Sequence, residues 1–213
     1  MDIMVVVAHL DDEIFGMGGT LVKLALENRV KVVCVCKGND WDSEDDVFKR
    51  KVIFCDLCRE LKITSHVLEY SDTKLDTIPQ TDIINSIDEI YTKFRPEIVY
   101  THSKDLHKDH YIVSECMDVV CRPRQHASIE KLYHFAIPGN VDWSRNDFIQ
   151  NTFVDISESN YAWRKKEYIL KYRRYPDLDP LSYQKMESRD EYYGAIIGVR
   201  KAECFQLIFD RSL

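Results

Sequence analysis

The sequence predicts an α/β fold in which helices flank a mainly parallel sheet, with further strands at the C-terminus. Short β-branched runs alternate with longer stretches of helical period, and the first run is apolar without interruption. Polar, chemistry-bearing residues gather just after the first and fourth runs. Residues 3–9 (IMVVVAH) have the composition of a strand covered on both faces, and residues 20–28 read as the helix that follows. A strand at 31–36, helical spacing over 46–61, an extended run at 64–70, a helix over 82–94 and a strand at 97–101 after Pro96 continue the alternation. A helix over 110–121 and a strand at 132–137 complete the regular part. Beyond Pro138, NTFVDIS (151–157) is predicted as a strand, 158–173 as a helix whose aromatics face inward and cations outward, and 195–209 as one or two terminal strands. The alternation makes the fold Rossmann-like, with the doubly wound strand order 3-2-1-4-5.

At 213 residues the chain is predicted to form one domain, residues 1–213. The balance of 36 acidic and 29 basic residues gives a net charge of −7, which argues against a nucleic-acid partner held by bulk electrostatics. No apolar run reaches the roughly 20 residues of a membrane span, and the N-terminus lacks a basic signal-peptide start, so a cytoplasmic location is expected. Seven cysteines are scattered through strand-like and helix-like runs, the pattern of buried thiols. Cys55 and Cys58 form a CxxC without a second pair at zinc-finger spacing, and Cys34 and Cys36, two apart, are expected on one face of a strand.

Ala8-His9-Leu10-Asp11-Asp12-Glu13 places one imidazole and three carboxylates at the carboxyl end of the first strand. Carboxylates so crowded repel one another and raise each other's pKa unless a cation compensates. The fourth strand runs into THSKDLHKDH (101–110), with three imidazoles and two carboxylates. Strands 1 and 4 are neighbours in a 3-2-1-4-5 sheet, and the crevice between their carboxyl ends is the switch point where ligands bind. Two histidines and one carboxylate, with positions left open for water, are the usual composition of a catalytic zinc site; His9, Asp12 and His110 fit it. Zn2+ is the predicted metal, although such a donor set also accepts iron or cobalt. Asp11 would stand beside the metal, placed to take a proton from water.

Together AHLDDE (8–13) and HKDH (107–110), with RPEIVYTH (95–102), NTFVDIS and AECF (202–205), resemble the PIG-L (LmbE-like) family of zinc-dependent de-N-acetylases over nearly the whole chain. Leu10 departs from the proline usual in the first motif and offers no ligand. The resemblance implies metal ligation by His9, Asp12 and His110, with Asp11 as general base. It also implies that His107, oriented by Asp109, stabilises the oxyanion or protonates the departing amine. It further implies a small-molecule substrate, an N-acetylglucosamine unit carried on a lipid, cyclitol, nucleotide or antibiotic core.

Asp72, after the third strand, and Arg50, on the second helix, are candidate contacts to sugar hydroxyls. His102 is expected as a polar loop residue, as are His66, His126 and His134 in their segments. Two other classes compete. Gly16-Met17-Gly18-Gly19 with Asp40 suggests an NAD(P)-dependent oxidoreductase, but the first glycine comes seven residues after His9 and the acidic run would face the pyrophosphate with like charge. A catalytically inactive sugar-binding member of the same family is the other. Oligomeric state is left open.

Overall fold

The computed structural model describes residues 1–38, 43–144, 148–172 and 182–212. A seven-stranded sheet of order β3-β2-β1-β4-β5-β7-β6 carries the fold. The strands are β1 (Asp2–Val7), β2 (Arg29–Gly38), β3 (Thr64–Ser71), β4 (Ile98–His102), β5 (Lys131–Phe135), β6 (Thr152–Asp155) and β7 (Ala202–Asp210). The first five pair in parallel, in the order the sequence predicts, while β7 runs antiparallel to both β5 and β6. The helices are α1 (Asp12–Ala25), α2 (Glu44–Glu60), α3 (Gln80–Phe94), α4 (Lys108–Val120), α5 (Ser159–Tyr172) and α6 (Ser182–Ile197).

Both faces of β1 are covered, which is why its sequence is apolar without alternation. Ile3, Val5 and Val7 join a core with α1, α2 and α5; Met4, Val6 and Ala8 join a second core with α3 and α4. Tyr161, Tyr168, Ile169 and Tyr172 of α5 point into the first core as its period predicts. Lys165 does not face solvent: it is buried against Asp190 and Glu203.

Three expectations are corrected. Helix α1 starts at Asp12, eight residues earlier than its apolar period suggests, and bends at Met17 (φ −151°, ψ 28°), so the glycines lie inside it. They serve close packing: a Cβ on Gly16 would stand 2.2 Å from Phe135 Cδ2, and one on Gly19 would stand 2.8 Å from Ile156 Cδ1. Residues 195–197 belong to α6, leaving one terminal strand, β7. Cys34 and Cys36 fall in opposite cores; the β2–β3 register is irregular on both sides of Cys36, whose N–H donates to Ala8 O (2.9 Å) past the end of β1 and which lines the cleft there. Asp40, the ribose-binding candidate, lies outside the described residues.

Candidate metal centre and active site

Register places the two motifs together. Ile3 to Val6 of β1 pair with Ile98 to Thr101 of β4, so both strands end at the same level and the polar segments leave side by side. The β4 end is pinned there: the Thr101 hydroxyl donates to Val6 O (3.0 Å) and the Ala8 N–H donates to His102 Nε2 (2.9 Å).

His9, Asp12 and His110 converge. His9 Nδ1 lies 3.1 Å from Asp12 Oδ2 and 3.2 Å from His110 Nε2, and His110 Nε2 lies 3.4 Å from Asp12 Oδ2. The outer nitrogens of both rings face carboxylates. His110 Nδ1 is 2.8 Å from Asp105 Oδ2, and His9 Nε2 is 3.2 Å from Asp109 Oδ2 and 3.1 Å from Asp72 Oδ1. Those partners can hold a proton on each outer nitrogen, which would free the inner ones for an ion. Two ring nitrogens and a carboxylate oxygen then meet at one point, a donor set that a divalent cation would satisfy in place of ring protons. Tetrahedral coordination at about 2.0–2.1 Å sets ligand atoms about 3.3 Å apart, so these three donors fit zinc or a similar divalent ion.

The electrostatics carry the same demand for positive charge. Burial alone would lower His9, but the charge of Asp12 and the contacts with Asp109, Asp12 and Asp72 raise it well above its ordinary value. Burial also opposes the charge on His110, yet Asp12 and Asp105 push it up to about 9. Asp12 is held well below the usual carboxylate range, against its burial, by His110, His102 and His9.

Asp11 caps α1 without a side-chain hydrogen bond to the helix. Burial, then the adjacent Asp12 charge, raises its carboxyl to about 7, with His9, Arg50 and His110 pulling the other way. It lines a cleft of about 180 Å³ together with His9, Leu10, Cys36, Gly38, Arg50, Asp72 and His107. All eight residues predicted for the site therefore gather around one cleft or in the contacts beneath it.

His107 caps α4, its Nδ1 accepting from the Asp109 N–H (3.3 Å), which leaves the ring proton on Nε2. Burial, then the nearby His9 and His110, keeps its pKa low and the ring neutral. Asp109 therefore meets His107 through its main-chain N–H and not through its carboxylate, which accepts from Thr73 N–H (2.6 Å) and Leu75 N–H (3.3 Å) and faces His9 Nε2. It orients His9.

Sequence reasoning missed two members. His102 is fully buried, stacks on His110 with ring centroids 4.1 Å apart, and is lowered to about 4 by burial and by His110. With Nε2 occupied by the Ala8 N–H it is a neutral wall of the site. Its position at the end of the strand beside β1 was the available signal. Asp105 orients His110 through one oxygen and accepts from the His107 N–H (2.7 Å) through the other. The rule that a ligating histidine needs a partner on its second nitrogen could have found it. Glu13, the last acid of the first motif, turns away from the cleft. It is fully buried near Tyr172 (3.4 Å), and burial followed by the Asp11 charge raises it well above its ordinary value.

Fold and site together define a doubly wound α/β protein whose switch-point crevice carries a histidine–carboxylate centre able to hold a divalent cation. The chain belongs to the PIG-L family: the family model, described as GlcNAc-PI de-N-acetylase, matches residues 4–121. The fold is shared with N,N'-diacetylchitobiose deacetylase from Pyrococcus horikoshii, at 21% identity and TM-score 0.78 over 97% of this chain and 83% of that one. It is shared with a deacetylase of the teicoplanin biosynthesis pathway, at 13% identity and TM-score 0.79 over 100% of both chains. A 4-carboxy-2-hydroxymuconate hydratase from Pseudomonas putida KT2440 also has it, at 17% identity and TM-score 0.73 over 100% of this chain and 98% of that one. Among the described residues no helix is long and apolar enough to cross a membrane.

Proposed function

We propose that residues 1–213 act as one domain that hydrolyses the acetamide of an N-acetylglucosamine-type sugar or sugar conjugate, releasing acetate and the free amine. The observation that carries this reading is the meeting of three donor atoms, His9 Nδ1, Asp12 Oδ2 and His110 Nε2, beside a cleft lined by Asp11 and His107. Family membership and the deacetylases among its structural relatives support the choice of an acetamide. His9, Asp12 and His110 would hold the ion, Zn2+ by donor type. When bound, such an ion supplies the Lewis acidity that makes water a nucleophile near neutral pH and polarises a carbonyl.

The chain's own groups do the rest. Asp11 has a carboxyl raised to about 7 and no competing cap bond, so it can take the proton of the attacking water. The His107 Nε2–H donates a hydrogen bond to the oxyanion as it forms. Asp11 then returns its proton to the nitrogen as the carbon–nitrogen bond breaks, since an amide leaves only as the neutral amine. Arg50 and Asp72, on the cleft wall, present a cation and a carboxylate to sugar hydroxyls.

A panel of N-acetylated sugars, free, nucleotide-linked and glycoside-linked, tests the reading when released acetate is scored alongside metal content. Acetate release proportional to bound metal is the expected result. Stoichiometric metal with no acetate from any member would overturn it.

A further inference from the structure

The end of β2, where its register with β3 is irregular, brings to the cleft a thiol that this hydrolysis does not use. Cys36 Sγ is 3.9 Å from Asp109 Oδ2, which is 3.2 Å from His9 Nε2, and donor atoms of the three residues lie within 4.8 Å of one another. A fourth donor stands beside them. Asp72, only 8% exposed, puts Oδ1 at 3.1 Å from the same Nε2. Sulfur, nitrogen and carboxylate oxygen together form a donor set for soft or borderline divalent ions.

This set and the His9–Asp12–His110 set share only His9, and they use opposite edges of its ring. Binding at Nδ1 requires the proton on Nε2, where Asp109 and Asp72 receive it. Binding at Nε2 requires the proton on Nδ1, 3.1 Å from Asp12 Oδ2.

We propose that Cys36, Asp109 and His9 Nε2 form a second seat for a thiophilic divalent ion, and that the two seats exclude one another because each needs a different His9 tautomer. The exclusion rests on reading His9, Asp12 and His110 as the catalytic seat. On binding, the Cys36 S–H bond breaks, the sulfur keeps the electron pair and gives it to the ion, and the proton passes to solvent. The His9 proton leaves Nε2 and is replaced from solvent at Nδ1; nothing is oxidised or reduced. A soft ion seated there would close the catalytic seat, because the neutral ring that gives its Nε2 lone pair to the ion carries its proton on Nδ1, the nitrogen that serves the other seat.

Cadmium(II) is the probe, used on full-length protein carrying Cys55→Ser so that the exposed Cys55 thiol does not contribute. Titration of metal-free protein is expected to raise a thiolate-to-cadmium charge-transfer band that saturates at one equivalent. The band is expected to vanish on adding Cys36→Ser and to persist on adding His110→Ala. Asp109→Asn, a variant that leaves the thiol in place, should weaken cadmium binding at least tenfold. Cadmium added to zinc-loaded protein should release zinc one for one. A band that survives Cys36→Ser, or cadmium bound with no band, overturns the second seat; cadmium bound beside retained zinc overturns the exclusion. Full zinc binding in His110→Ala would instead sink the catalytic seat, while the cadmium band would still report the second.

Discussion

Asp11 and Asp12 are adjacent and chemically identical, yet their surroundings drive them apart. Asp12 is ringed by imidazoles and stays ionised; Asp11 faces the cleft and is raised to about 7 by burial and by its neighbour. Separated pKa values of this kind support the proposal that Asp12 is the ligand and Asp11 the base. Asp11→Asn is therefore expected to retain stoichiometric zinc and to lose turnover by a factor on the order of 100 or more. Metal analysis and acetate release, measured on the same sample, check it; undiminished turnover would remove the base. Asp105 carries a second expectation, because it alone orients the outer nitrogen of His110 among the described residues. Asp105→Ala should weaken zinc affinity by roughly 10–100-fold, read by competition with a chromophoric chelator. That the three motif histidines and the acids beside them gather in one place was legible in the sequence, since both motifs follow strands that are neighbours in the sheet. What Asp109 and Asp105 orient was not, because a partner 100 residues away, as His9 is from Asp109, or five away, as His110 is from Asp105, depends on side-chain direction, which spacing does not encode.

Helix α1 shows how packing overrides an element's own period. Its first turn delivers Asp12, yet glycines at 16, 18 and 19 lower its intrinsic helix propensity, so the sequence reads as helix only from Thr20. The glycines are there for what lies across from them: the Phe135 ring fills the space a Gly16 side chain would need, and Ile156 fills the space at Gly19. They are packing glycines, and this counts against a dinucleotide-binding turn. Gly16→Ala is expected to push α1 off β5 and destabilise the fold by about 1–3 kcal/mol. Urea unfolding of the metal-free protein measures this without contribution from bound ion, and an unchanged midpoint would show that Phe135 can yield. The parallel strands were legible for the complementary reason, as β-branched runs covered on two faces leave little ambiguity. Helix α6 was missed because its residues show weak amphipathic patterning.

At the scale of the whole molecule, the question is what joins the parallel half, which holds both motifs, to the C-terminal strands and helices. Glu203, at the start of β7, accepts from the Gly19 N–H (2.9 Å) and the Thr20 N–H (2.6 Å), just past the bend in α1. It caps the second segment of that helix from 184 residues away. Lys165 of α5 lies 2.8 Å from Glu203 Oε1 and donates to both oxygens of Asp190 on α6 at 2.8 Å, so one ammonium links α5, α6, β7 and α1. The cation is nearly fully buried, and the charges of Asp190 and Glu203 raise its pKa against the opposing effect of burial. Replacing Lys165 with Met would leave two like-charged carboxylates buried beside each other, which is expected to destabilise the protein by about 3–5 kcal/mol. Lys165→Met with Asp190→Leu removes one of those charges along with the cation and should recover a substantial part of the loss, while Glu203 keeps its hold on α1. Urea midpoints for the wild type and both variants separate the possibilities. If Lys165→Met unfolds where the wild type does, the ammonium is not what binds the halves; if the double variant recovers nothing, the loss comes from Lys165 packing and not from unpaired charge.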